Sequence, residues 1–349
     1  MRRDVVATGV CTNLFSLYQG TVVFVPGLPG IWRVSMIALG LAAMVPVRAG
    51  DLRSHPHPTR DYADAVRRAR ALVASDDSLV AEGGATILRV HSARAPRAIV
   101  LFHGFTNSPR QFAELADSLF AAGDNVLVPR LPHHAERGKD VGELARLTAA
   151  ELCRTTDAAV DIANGLGDSV VVLGLSVGGT MATWAAEHRS EVRRAVAIAP
   201  PFEVTHVPSM LERPLVNIGG HVPNVSRRAA PDSERPDRDP GFATHGLAQV
   251  LRLGIATRRD AEGAKSTSPE LLFLVNARDH TVKTAPVLDV ARVWNSKGAP
   301  VAVYELPDSL GLPHNVIDPI GREATPGTVL PVLIALAHGD RPAAWVHRR

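Results

Sequence analysis

From about residue 81 onward, short apolar runs alternate with amphipathic segments. Residues 99–102, led in by Arg97 and Ala98, are apolar throughout, as a strand buried on both faces requires. Residues 111–122 place Phe112, Leu115, Leu119 and Phe120 at helical spacing and stop at Gly123. Residues 125–128 again read as a strand, 141–166 as a long helical region ended by Gly167, and 169–173 as a strand dominated by valine. Further on, the pattern predicts helix over 180–188, strand over 195–198, strand over 271–275, helix over 285–294, strand over 301–304 and a closing helix over 328–338. Apolar strands alternating with helices predict an α/β class: a doubly wound, mostly parallel sheet covered on both faces. Ligands of such sheets bind at the carboxyl ends of the strands.

Two stretches break the rhythm. Between Pro200 and about Pro269 no strand is evident, and 226–240 is rich in Arg, Asp and Pro. A long insertion without its own periodicity is usually functional or disordered. We read 201–240 as a cap inserted after the strand that precedes Pro200, and 241–255 as a returning helix. The second exception is the N-terminus, where 1–50 reads as a leader to a body over 51–349. A basic residue, Arg33, precedes an apolar run over 34–47, and Val47 and Ala49 stand at the −3 and −1 positions before Gly50. This approximates an export signal or membrane tether, and the run is short for a spanning helix, which needs about 20 apolar residues. The chain is therefore expected to be exported or tethered, with the cytoplasm as the alternative.

Composition narrows the class. The chain has 349 residues, 46% hydrophobic and 21% charged, enough for a large core that needs no disulfide or metal. Net charge is +3 with acids and bases interleaved, which gives no stripe for nucleic acid. Cys11 and Cys153 alone make neither a disulfide framework nor a zinc site.

The chemistry concentrates at the predicted strand ends. Gly174-Leu175-Ser176-Val177-Gly178-Gly179 directly follows the valine strand and opens a helix. A serine on such a sharp strand-to-helix turn needs small neighbours where backbone crowds, and the helix N-terminus behind it favours developing negative charge. His103-Gly104-Phe105 ends an earlier strand, where the backbone N–H groups of Phe105 and Val177 would converge as an oxyanion hole. His103 precedes the serine and is expected to brace that loop. A serine needs a base, and the base an orienting acid. Asp279 follows the 271–275 strand, and His314, 35 residues later, follows the last strand, giving the chain order Ser, Asp, His. Glu203 and Asp318 are the rival acids. His133-His134 reads as a turn whose adjacent side chains diverge. No cluster shows metal spacing and no glycine loop shows nucleotide spacing, so no metal and no cofactor are expected. In the cap, Leu211 and Leu215 are candidates for substrate contact.

On His103-Gly104-Phe105-Thr106, Gly174-Leu175-Ser176-Val177-Gly178-Gly179, Asp279 with Val282, and Pro313-His314, the chain resembles the carboxylesterase and monoacylglycerol-lipase branch of the α/β-hydrolases over about 98–337. The resemblance implies the α/β-hydrolase fold and a serine hydrolase acting on carboxylic esters through an acyl-enzyme. The first two motifs would supply oxyanion hole and nucleophile, the last two acid and base. The chain departs from the family in Asn276, where Gly is frequent, and in Pro132-His133-His134-Ala135, where a Pro-Gly-His-Gly turn is frequent. A polar cap points to soluble esters of short-to-medium acyl chains. The alternative on the same triad is acyl transfer, or aminopeptidase-like hydrolysis with Glu203 or Glu212 holding a substrate ammonium. The expected partner is a small-molecule ester, without nucleic acid, and with membrane contact only through the leader.

Overall fold

The computed structural model describes residues 45–76, 80–138, 142–228, 241–317 and 326–349, all within the unit Ala42–Arg349. The apolar run of the leader and the rival acid Asp318 lie outside the described residues. Among the described residues no helix is long and apolar enough to cross a membrane.

Eight strands form one mixed sheet: β1 (Ile87–Arg89), β2 (Ala98–Phe102), β3 (Asn125–Val128), β4 (Val170–Leu175), β5 (Val192–Ile198), β8 (Glu270–Asn276), β9 (Val301–Leu306) and β10 (His347–Arg348). The order is β1-β3-β2-β4-β5-β8-β9-β10. The six central strands run parallel, and the two edge strands, β1 and β10, are antiparallel to their neighbours. Every residue of β2, β3 and β4 is buried, which explains why they are apolar apart from Asn125, whose amide donates to the Ala93 and Leu166 carbonyls. Alternate residues feed two cores. Val100, Phe102, Val170 and Val172 face one, and Ile99, Leu101, Val171 and Leu173 the other.

The first core is covered by α1 (Tyr62–Asp76), α3 (Ala149–Leu166), α4 (Val177–His188), α6 (Thr244–Asp260) and α7 (Ala285–Ser296). The second is covered by α2 (Ala113–Ala121) and α8 (Pro326–His338). The predicted helix over 141–166 divides at Thr148, whose extended backbone stops a short 3-10 turn over Glu143–Arg146. Thr148 then caps α3 reciprocally with Glu151. Cys153 is buried, and burial first, then the Asp157 charge, pushes its thiol far above the usual range. It is an inert core side chain.

The insertion after β5 has more structure than its sequence suggests. It contains a helix, α5 (Ser209–Gly219), and a hairpin of β6 (Ser226–Arg228) with β7 (Gly241–Ala243). Pro214 lies inside α5, where a proline removes a backbone donor and argues against a helix. The predicted returning helix over 241–255 is displaced, because 241–243 pair as a strand and α6 starts at Thr244.

Upstream, Leu52 is buried and its carbonyl accepts the Trp184 indole N–H at 3.1 Å. Ser54 Oγ donates to Asp157 at 2.5 Å, and the His55 and His57 backbones donate to Asp157 and Asp161 at 2.7 and 2.9 Å. The fully buried Arg189 guanidinium pairs with the same two aspartates and with Glu191. A buried arginine is tolerable only with partners of this kind, and here they also bind a strap of chain to α3 and α4.

Candidate active site

The turn between β4 and α4 is built by crowding. Ser176 has φ 57° and ψ −121°, a left-handed conformation that a side chain rarely adopts, and its N–H donates to the Ile198 carbonyl at 2.9 Å. A Cβ on Gly178 would lie 1.9 Å from the Phe102 carbonyl oxygen, and one on Gly174 2.2 Å from that of Gly178. Only glycine lets these backbones approach so closely. From Val170 to Ala186, Ser176 is the one residue that is not buried. The turn thus delivers a single hydroxyl to the carboxyl edge of the sheet.

Asp279 and His314 meet beside that edge. His314 Nδ1 lies 2.7 Å from Asp279 Oδ2, and the Asp279 carboxylate is almost fully buried. Asp279 Oδ1 accepts the backbone N–H groups of Thr281 and Val282 at 2.8 and 3.0 Å. Burial alone would raise this carboxyl. The hydrogen bond and charge of His314, with the two N–H groups, outweigh burial and hold it below the usual aspartate value. An ionised Asp279 accepts only, so the imidazole carries its proton on Nδ1 and presents a lone pair at Nε2. That Nε2 is buried and has no hydrogen-bond partner among the described residues.

The loop after β2 lies alongside. His103 is buried; its Nε2 accepts the Leu131 N–H at 3.1 Å and its Nδ1 is 3.0 Å from the Gly104 carbonyl. Burial, then the charges around His134 and Arg130, depress its basicity well below the ordinary value. It is a brace and not a rival base. The Phe105 N–H makes no hydrogen bond among the described residues, and Val177 opens α4, whose first-turn N–H groups lack helical acceptors.

A match to the alpha/beta hydrolase family covers residues 99–348, more than two-thirds of the chain. The chain belongs to that family. A thermostable monoacylglycerol lipase from Bacillus sp. (strain H-257) is 25% identical over 194 residues, which is 55% of this chain and 74% of that protein. Among solved structures, a chain from the metagenome-derived lipolytic enzymes LipS and LipT superposes with a TM-score of 0.57 at 19% identity, covering 74% of this chain and 99% of its own. The Paleococcus ferrophilus monoacylglycerol lipase superposes with a TM-score of 0.54 at 18% identity, covering 72% and 98%. At these identities the two structures speak for the fold alone.

Within this hydrolase the other sequence candidates take definite places. Glu203 does not reach His314. Its carboxylate takes Ser209 Oγ at 2.5 Å, Lys283 Nζ at 3.0 Å and Arg258 at 2.9 Å. Its backbone carbonyl accepts Lys283 N–H, and the neighbouring Val204 bridges Val282. This segment clamps the loop that carries Asp279. Leu211 is half-buried, and Leu215 is exposed, as are Met210, Val222 and Val225. His133 and His134 diverge: His134 is buried and packs edgewise on Phe105 and His103, with ring centroids 5.7 and 5.2 Å away. Burial, with Arg130 adding to it, pushes His134 down to about 4, against the bond to the Pro132 carbonyl. A surface groove of about 590 Å³ lined by Arg70, Val73, Thr86 and Leu88 runs beside edge strand β1, three strands from β4. The paired acid and base are elsewhere.

Two positioning residues escaped the sequence reading. Gln111 is buried and bridges two loops: its Oε1 accepts the Gly104 N–H at 2.8 Å and its Nε2 donates to Asn315 at 3.1 Å. Asn276 donates to the Leu312 and Pro313 carbonyls at 2.9 and 3.0 Å, fixing the approach to His314. A polar residue at a strand end, where the family often has glycine, was the available signal for Asn276.

Proposed function

We propose that the protein is a serine hydrolase that cleaves carboxylic esters through an acyl-enzyme. Ser176 Oγ attacks the ester carbonyl carbon while His314 Nε2 takes its proton. Asp279 holds the imidazole in the productive tautomer and stabilises the imidazolium. The oxyanion accepts the N–H groups of Phe105 and Val177; one such donor is worth on the order of 100- to 1000-fold in rate. Collapse breaks the bond to the leaving alcohol, which takes the proton from His314. Water then repeats the sequence on the acyl-enzyme, returning the acid and a free Ser176. The observation that carries this reading is the 2.7 Å Asp279–His314 pair at the sheet edge to which the elbow delivers one hydroxyl. Likeness to a monoacylglycerol lipase supports an ester substrate.

An aminopeptidase-like reaction needs a free carboxylate for the substrate ammonium. Glu203 is committed to Lys283 and Arg258, and Glu212 is buried, which favours esters. The preferred substrates are soluble esters of short-to-medium acyl chains, because the 201–240 segment carries few apolar residues before its charged stretch at 227–239. A panel of p-nitrophenyl esters of rising chain length, amino-acyl anilides and emulsified triglyceride tests this. The expected result is turnover of the shorter esters, none of the anilides, and no rise in rate above the solubility limit. Preferential anilide cleavage, or a steep rise on the emulsion, would contradict it.

A further inference from the structure

The turn after β3 brings together three metal-ligating side chains that the sequence keeps apart. His133, Glu136 and Glu143 each offer one ligand atom, and these atoms lie within 4.8 Å of one another. The six residues between Glu136 and Glu143 hid the group from any reading by spacing, which expected no metal here.

The contacts around His133 orient its ring toward the cluster. His133 Nε2 lies 3.3 Å from Glu151 Oε1. Glu151 is itself fixed by Thr148, whose N–H and Oγ1 approach its other oxygen at 2.9 and 2.8 Å. With Nε2 turned to Glu151, Nδ1 is the ring nitrogen turned to the cluster. It faces Glu136 Oε1 at 3.9 Å, beyond hydrogen-bond reach, with Glu143 nearby. Three ligand atoms from three different side chains thus converge on one spot. One ion can span the gap, since two bonds of about 2.1 Å reach roughly 4.2 Å.

We propose that His133, Glu136 and Glu143 form a site for a divalent metal ion of the zinc class, with water completing the coordination. Imidazole with two carboxylates is a donor set suited to zinc, and a ligating histidine whose other N–H is held by a carboxylate is the usual outer arrangement. The backbone is already set: Val80 bridges Glu136, and the Ala81 N–H donates to the Ala135 carbonyl at 2.8 Å. Glu143 also pairs with Arg146 at 2.8 Å, but that arginine is 66% exposed and the pair is weak. The ion would tie the turn that carries His134, and hence the packing behind Phe105.

The test uses the whole protein stripped with EDTA and dialysed against ZnCl2, with bound metal counted by atomic emission and thermal unfolding followed with and without zinc. The site predicts one zinc per chain and a Tm that rises with zinc. Glu136→Gln and Glu143→Gln, both surface changes expected to leave the zinc-free Tm in place, should each weaken binding at least about tenfold and abolish the Tm rise. Glu151→Gln should weaken binding by about 10- to 100-fold at unchanged stoichiometry. No retained zinc, or retention and Tm rise unchanged in both ligand variants, would overturn the site.

Discussion

Ser176 holds a left-handed backbone without being glycine, and such strain costs on the order of 1–3 kcal/mol and persists only where the surroundings impose it. Here Gly174 and Gly178 impose it, by letting β4, α4 and β2 close to distances no Cβ would allow. Asp279 presents the complementary case, a charge kept in place by its partners. Because its folded-state pKa lies below the ordinary 3.8, it contributes stability above that value, lost as pH falls through the lower folded one. Asp279→Asn removes that contribution and reverses the tautomer preference of His314. We expect kcat to drop by roughly 10,000-fold with little change in KM, and the stability difference from wild type to shrink in acid. Steady-state kinetics and urea unfolding at pH 7 and pH 3 check both. Gln111 and Asn276 were not legible in sequence for a plain reason. Gln111 meets Asn315 across 204 residues, and a bond that long leaves no periodic trace.

The sheet strands were legible because burial on both faces forces an apolar run. The cap helix α5 was not, because Pro214 contradicts its propensity and only packing against α6 and the body compensates. Helix α1 was missed for another reason: it buries the small side chains Ala65 and Ala69, which make little apolar signal. The cap also carries its own titration. Glu212 on α5 is buried, and burial first, then the Glu203 charge, push its carboxyl up to about 7 against Lys283 and Arg258. Between its ordinary 4.5 and about 7 the folded chain holds a proton that the unfolded chain has released. Stability therefore falls as pH rises through that window. Glu212→Gln should flatten this slope, as urea midpoints at pH 5, 6, 7 and 8 would record. An unchanged slope would assign the titration to another group.

At the scale of the molecule, the strap at 52–57, which precedes the strand–helix rhythm that starts near residue 81, is bound to α3, α4 and the buried Arg189. We expect export with cleavage before Gly50, so mass spectrometry of the mature protein should find Gly50 at its start; an intact N-terminus in the cytosol would contradict this. Among the described residues, a chain starting at Gly50 gives up the bonds to the Val45, Arg48 and Ala49 carbonyls, and it should unfold near the wild-type Tm. One starting at Thr59 exposes the Leu52 site, worth roughly 1.5–3 kcal/mol. Its Tm should fall by roughly 3–12 °C.

All of this rests on Ser176 being the nucleophile, and covalent labelling tests that most directly. A fluorophosphonate should add one mass equivalent to the folded protein, and peptide mapping should place it on Ser176. Ser176→Ala should lose both the adduct and ester turnover, the latter by about a million-fold. An adduct on another residue, or near-wild-type ester hydrolysis by Ser176→Ala, would contradict the account.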